Sequence, residues 1–112
     1  MSVEHRRHER YAVEISAEVT VGVETVAAAT QNVSEGGAAL TLDLPLDEGS
    51  TFGLTLFLTQ DGIEDPDREP FESTATVQWV RPASGRYLCG IAFTTVAPAQ
   101  RARLREFLSA TA

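Results

Sequence analysis

The chain has 112 residues, 43% of them apolar and 22% charged, so we expect one globular domain that can bury a modest core. Its formal net charge of −7 argues against general binding of DNA or RNA, which requires a broad basic surface. No apolar run approaches the ~18 residues of a membrane span, and the first residues are too polar for a signal peptide. We therefore expect a cytoplasmic protein without membrane insertion.

Alternation of apolar and polar residues predicts a β protein. The strands are predicted at residues 12–21, 23–31, 38–44, 52–58, 71–81 and 86–94. The side chains predicted to face the core include Val13, Ile15, Ala17, Val19, Val21, Leu40, Leu42, Leu44, Phe52, Leu54, Leu56 and Leu58, with Trp79 as a core aromatic and Cys89 as a small core hydrophobe. The single cysteine excludes an internal disulfide.

The last fifteen residues have a different pattern. Pro98 is suited to a first helical turn, and Leu104, Phe107 and Leu108 recur at helical spacing. Arg101, Arg103 and Arg105 are predicted to lie on the exposed face of this helix. The alternative is that they bind an anionic ligand or a partner protein. About six short strands followed by one helix indicate an all-β fold, a small antiparallel barrel with the helix packed on its side or mouth.

No group of residues indicates catalysis or a metal site. Ser34 lacks a Gly-x-Ser-x-Gly elbow and a histidine base, so we expect no enzyme activity. His5 and His8 are not completed by a cysteine or carboxylate motif, and solvated histidines are the better interpretation. The acidic stretch 60–70 lacks the residue order of a calcium-binding loop and is predicted to be a solvated loop. We expect no cofactor.

The basic residues before the first strand are predicted to form an arm. Three of the nine basic residues, Arg6, Arg7 and Arg10, fall within five positions, and all nine are arginine. A guanidinium can donate two bonds to guanine O6 and N7, stack on its ring, or bind a phosphate through both nitrogens. Taken alone, a basic N-terminal segment is usually solvated.

A second polar segment, residues 32–37, has the sequence Asn-Val-Ser-Glu-Gly-Gly. The side chain of Asn32 or Ser34 can bond nearby amides, and Gly36 and Gly37 permit positive φ and the close approach of a ligand. Successive amides in such a turn can form an anion-binding nest, although a plain loop explains the same residues. Together, the arm and this turn suit a guanine nucleotide with phosphates.

Arg6-Arg7-His8-Glu9-Arg10 followed by Asn32-Val33-Ser34-Glu35-Gly36-Gly37 resembles the two-part signature of PilZ domains, Arg-x-x-x-Arg and then Asp/Asn-x-Ser-x-x-Gly. The likeness continues through residues 75–81, Cys89-Gly90-Ile91-Ala92-Phe93 and the helix near Pro98. It implies a six-stranded antiparallel PilZ-like β-barrel with one C-terminal helix. Residues 1–11 would be a flexible ligand-binding arm and residues 12–112 the barrel with its helix, as one domain overall.

The resemblance also implies binding of the bacterial second messenger cyclic di-GMP, as one molecule or a stacked pair. It places Arg6 and Arg10 on guanine and phosphate, Asn32, Ser34 and Gly37 on a guanine and its ribose-phosphate, and Arg7 as an extra contact. Gly36 joins these candidates because it clears space beside the turn. A receptor of this kind would signal through an unidentified partner protein, in motility or biofilm regulation. The alternative is a PilZ-like adaptor that binds no nucleotide and acts by protein contact in pilus or motility machinery.

Overall fold

The computed structural model describes residues 10–59 and 69–111. They form six strands, β1 (Ser16–Val21), β2 (Glu24–Val33), β3 (Gly37–Leu42), β4 (Thr51–Leu56), β5 (Phe71–Ala83) and β6 (Arg86–Thr95), followed by the helix α1 (Pro98–Thr111). The strands close into a barrel in the order β1-β2-β3-β6-β5-β4, and every neighbouring pair is antiparallel. The predicted six-stranded antiparallel barrel with a C-terminal helix is confirmed.

The barrel interior is filled by the alternating apolar residues that the sequence predicted. Val19, Leu40, Leu42, Leu56 and Cys89 have no exposed surface, and most of the other predicted core residues are nearly as buried. Burial raises the pKa of the Cys89 thiol, so this side chain stays neutral and packs as a small hydrophobe. The helix adds Leu104, Phe107 and Leu108 to the same core, which fixes its position against the barrel.

The predictions for Val21 and Leu44 were wrong, because both side chains are exposed, at 48% and 42%. Val21 lies beyond the last residue of β1 that pairs with β4, at the tip of the β1–β2 hairpin. Leu44 follows the end of β3. The alternation of apolar residues therefore extends beyond the ends of the paired strands, where the side chains no longer point into the barrel.

The prediction that Trp79 is a core residue was also wrong. Val77 pairs with Ile91 and Trp79 with Gly90, so Gln78 is an extra residue in β5 that forms a β-bulge. The bulge reverses the alternation. Trp79 consequently lies on the outer wall over Gly90, and Val80 takes the position that packs against the core.

Of the arginines predicted to lie on the exposed face of α1, Arg105 is exposed, with its side chain at 60%, whereas Arg101 and Arg103 are half-buried. Arg103 is partly buried, with its side chain 27% exposed, and its guanidinium donates to the Pro70 carbonyl at 3.2 Å and to Glu69 Oε2 at 2.9 Å. Arg105 forms an ion pair with Glu35. None of the helices in the described ranges is long and apolar enough to cross a membrane. The acidic loop prediction falls mostly on residues 60–68, which lie outside the described residues.

The segment that leads into β1 is held by one buried threonine. Thr30 is 1% exposed, its hydroxyl donates to the Val13 carbonyl at 2.6 Å, and the same oxygen accepts the Ile15 amide at 2.9 Å. The Thr30 amide in turn donates to the Ile15 carbonyl at 2.9 Å. These bonds fasten the chain against β2 before β1 begins, and they fix where the N-terminal segment meets the barrel.

Replacing Thr30 by valine tests this anchor. The change keeps the side-chain shape but leaves the buried Ile15 amide without its acceptor, which costs about 1–3 kcal/mol of unfolding free energy. Urea unfolding followed by circular dichroism should show that loss for Thr30→Val. Thr30→Ser, which retains the hydroxyl, should lose markedly less, and equal losses in the two variants would show that the hydroxyl is not the anchor.

Candidate ligand-binding site

The end of the predicted arm and the start of the second polar segment meet in the structure. The Arg10 guanidinium donates from Nη1 to Asn32 Oδ1 at 3.3 Å, across 22 residues of sequence. The Tyr11 amide donates to the Val33 carbonyl at 2.8 Å, and the Val33 amide donates to the Tyr11 carbonyl at 2.9 Å. The main-chain pairing of Tyr11 with Val33 therefore places Arg10 beside Asn32. Arg6 and Arg7, like His5 and His8, lie outside the described residues.

Asn32 reaches the outer wall because of a β-bulge. Thr30 pairs with Leu40 and Asn32 pairs with Ala39, so Gln31 is an extra residue in β2. In a regular strand Thr30 and Asn32 would share a face, and Thr30 is buried in the interior. The bulge turns Asn32 outward and returns Val33, which has no exposed surface, to the core.

Ser34 holds the tight turn between β2 and β3. Its Oγ accepts the Gly36 amide at 3.1 Å and the Gly37 amide at 3.2 Å, while the Ser34 amide donates to the Gly37 carbonyl at 2.8 Å. The side chain is nearly buried. Of the two interpretations offered by the sequence, this arrangement favours a self-contained turn, because the amides that would form an anion-binding nest donate to Ser34 instead. The serine therefore shapes the surface beside Asn32.

Gly37 is required where β3 runs against β6. A Cβ at this position would lie 2.1 Å from the Ile91 carbonyl oxygen and 3.2 Å from the Ala92 Cα, both of them backbone atoms that cannot rotate away. The Phe93 amide also donates to the Gly36 carbonyl at 2.9 Å, which ties the turn to β6. The glycine thus has a packing role, whether or not it also contacts a ligand.

A row of small residues continues the outer wall from Asn32 across the sheet. Asn32 pairs with Ala39 on β3, Ala39 with Gly90 on β6, and Gly90 with Trp79 on β5. The row spans three inter-strand spacings, or roughly 14 Å. The Trp79 ring lies over Gly90, and the Arg81 guanidinium stacks on that ring at 4.3 Å from its centroid. The row therefore has a polar end at Asn32 and an aromatic, cationic end at Trp79. Its middle is covered, because Ala39 is 2% exposed and Gly90 is buried beneath the Trp79 ring.

Sequence reasoning missed three residues of this surface. Trp79 was assigned to the core and Arg81 was given no role, because nothing in the sequence marks the bulge at Gln78. Arg105 was predicted to lie on an exposed helix face and does so, but its bond from Nε to Glu35 Oε1 at 2.6 Å, across 70 residues, was not predicted. Gly90, which pairs with Trp79, has no side chain and so leaves room for the ring on the outer wall. A glycine in the neighbouring strand is the one sequence feature that is consistent with this position of the tryptophan.

The chemical groups on this surface are suited to binding a ligand. It combines guanidinium groups, an amide side chain and a flat aromatic ring, which together suit a ligand with anionic groups and planar bases. Within residues 10–59 and 69–111, no group of three or more His, Cys, Asp or Glu side chains could hold a metal ion.

The fold and this surface define a small closed barrel with a polar, partly cationic patch on its outer wall. The sequence matches the PilZ domain family over residues 4–110. The chain belongs to the PilZ domain family. A search of curated protein sequences found no match.

Solved structures share the fold at low sequence identity. The PilZ domain of YcgR from Escherichia coli, solved with c-di-GMP, has a TM-score of 0.76 at 15% identity, and the match covers 96% of this chain and 92% of that one. MotI/DgrA, an inhibitor of motility from Bacillus subtilis, has a TM-score of 0.76 at 18% identity, covering 96% and 51%. The MrkH–c-di-GMP complex of K. pneumonia has a TM-score of 0.73 at 16% identity, and the match covers 96% of this chain and 52% of that one. This chain thus spans about half the length of the MotI and MrkH chains.

Gly37→Ala tests the close approach of β3 to β6. The new methyl group would force the backbone of the turn or of β6 to shift, which we expect to cost about 1–3 kcal/mol of unfolding free energy in chemical denaturation. Gly53→Ala is the matched control. A Cβ there lies 3.6 Å from the Thr20 Cβ, an ordinary contact, so stability should be unchanged or slightly higher. A neutral Gly37→Ala would contradict the packing role.

Proposed function

We propose that this PilZ domain is a receptor for cyclic di-GMP that closes its arginine-rich arm over the nucleotide and signals through a partner protein. The binding residues are Arg6, Arg7, Arg10, Asn32, Ser34, Gly36 and Gly37. The observation that carries the proposal is the hydrogen bond between Arg10 and Asn32, because it brings the two halves of the family signature together on one surface. Relatives of the same fold, YcgR and MrkH, have been solved with c-di-GMP.

The roles of the residues follow from their chemistry. Arg10 would exchange its single bond to the neutral Asn32 amide for an ion pair with a phosphate or for a two-nitrogen contact with guanine O6 and N7. Asn32, once released, can donate and accept at the edge of a guanine or at the ribose-phosphate. Ser34 would act largely by holding the turn, with Gly36 and Gly37 keeping its surface free of side chains. Arg6 and Arg7 would approach from the arm and add contacts to the phosphates or stack on a base.

Trp79 extends the proposed site on the far side of the small-residue row. Asn32 and Trp79 lie roughly 14 Å apart along the row, so a ligand with two bases could contact Asn32 with one base and the partly exposed Trp79 ring with the other. Arg81 holds that ring from one face. Either one ligand molecule or a stacked pair fits this description, and the stoichiometry is a result that titration would give.

The receptor is proposed to transmit its signal through a change in its surface near the arm. Binding would order the arm against the barrel, and a partner protein in the cytoplasm would recognise the closed form. Regulation of motility is the process suggested by MotI, whose structure is described as an inhibitor of motility. Since this chain spans about half of that protein, the partner and the pathway are part of the proposal.

Isothermal titration calorimetry with cyclic di-GMP on the wild type and on Arg10→Ala tests the proposal. Loss of charge-assisted contacts should weaken binding about 10- to 100-fold. Arg10→Lys should recover part of the affinity, since it keeps the charge but not the two-nitrogen contact. Arg86→Ala is the matched control: it removes one arginine from an exposed ion pair with Asp43 and should bind as the wild type does. No heat from a folded wild type would reject the receptor and favour the adaptor.

Arm closure has its own test in hydrogen–deuterium exchange. If the arm is ordered by the nucleotide, amides of residues 4–11 should exchange more slowly when cyclic di-GMP is added, while those of the β1–β2 hairpin tip at residues 21–24 should not change. Binding without slower exchange in residues 4–11 would show that the nucleotide is held by the barrel alone.

A further inference from the structure

The turn that forms part of the proposed site carries a carboxylate. Glu35 lies between Ser34 and Gly36 in the turn, one residue from each of the positions proposed to shape the ligand surface. Its side chain is 31% exposed. A negative charge so placed repels an approaching phosphate, and at the separations within one turn that repulsion is only partly screened by water and salt. A negative charge beside an anionic ligand is therefore unfavourable unless another charge compensates it.

Arg105 supplies a compensating charge from the helix. Its Nε donates to Glu35 Oε1 at 2.6 Å, and the two residues are 70 positions apart in the sequence. Arg105 adjoins Leu104, which is 1% exposed, and Phe107 and Leu108 fix the same turns of α1 in the core. The guanidinium is thus held against the turn by a helix that the core packing positions.

We propose that Arg105 is a positioning residue of the nucleotide site, which neutralises Glu35 and directs its carboxylate away from the bound phosphates. This inference rests on the proposed cyclic di-GMP binding. Arg105 does not contact the nucleotide; it acts through Glu35. The C-terminal helix therefore sets the affinity of the site, and a partner that displaced Arg105 from the turn would weaken nucleotide binding.

An ordinary surface ion pair is the competing explanation. Such a pair would add modestly to stability, and its loss would leave the nucleotide affinity unchanged. A direct contact between Arg105 and a phosphate is a further alternative. The three explanations differ in the behaviour of the double variant, because removing the carboxylate abolishes the need for compensation but cannot replace a missing phosphate contact.

The experiment is a double-mutant cycle measured by calorimetry with cyclic di-GMP. Arg105→Ala should weaken binding about three- to tenfold, and Arg105→Ala combined with Glu35→Gln should restore the affinity to within about twofold of the wild type. Arg86→Ala is again the control for loss of one positive charge, since Arg86 lies at the start of β6 and pairs with Asp43, which follows β3. Thermal melts establish that each variant is folded.

The salt dependence of nucleotide affinity gives a second test, because a purely structural role of Arg105 would not change it. The ratio of wild-type to Arg105→Ala affinity should shrink between about 0.05 M and about 0.5 M NaCl, because the unmasked repulsion is screened. An unchanged affinity in Arg105→Ala, or a loss that persists in the double variant, would overturn the inference while leaving the receptor proposal intact. A folded wild type that does not bind would overturn both.

Discussion

The alternation of a β-strand is the constraint on which this surface depends. Every second residue of a barrel strand faces the interior, so a regular β2 would place Asn32 on the same side as the buried Thr30. The extra residue Gln31 breaks that alternation and puts the asparagine on the outer wall. The extra residue Gln78 does the same for Trp79 on β5. The two bulges therefore create the two ends of the outer row, with the buried Ala39 and Gly90 between them.

The barrel also fixes the point from which the arm can act. The buried Thr30 hydroxyl bonds the backbone of Val13 and Ile15, and Tyr11 pairs with Val33 at the end of β2. Arg10 directly precedes Tyr11 in the chain and contacts Asn32. Ordering a free segment costs about 1–2 kcal/mol per residue, so an arm attached this close to its site loses less than a distant segment would. This attachment next to Asn32 is consistent with the proposed role of the arginine-rich segment in binding.

Much of the fold could be predicted from the sequence because burial enforces a period of two. The predicted segments correspond to the six strands, and the core leucines and valines are where the alternation put them. The pattern does not mark where pairing stops, which is why Val21 and Leu44 were misplaced. It also does not mark bulges, since a single glutamine looks like any other outward residue, and the tryptophan after Gln78 was therefore assigned to the wrong side.

The candidate site was partly predictable for a different reason. Arg10, Asn32 and Ser34 could be singled out because their types and spacing resemble a known signature, and the structure brings Arg10 and Asn32 into contact. The pairing of Glu35 with Arg105 could not be found in this way, because it joins a turn to a helix 70 residues later through the packing of α1. Contacts that depend on how a helix docks have no local pattern in the sequence.

The central claim is that cyclic di-GMP lies on the outer wall between Asn32 and Trp79. The most direct measurement is a nitrogen-15 NMR titration of the full chain with the nucleotide. The account predicts saturable shifts of the Asn32 side-chain amide, the Gly36 and Gly37 amides and the indole N–H of Trp79, which is the sole tryptophan of the chain. The hairpin tip at residues 21–24 should not respond. Shifts confined to that tip, or none at saturating nucleotide, would contradict the account.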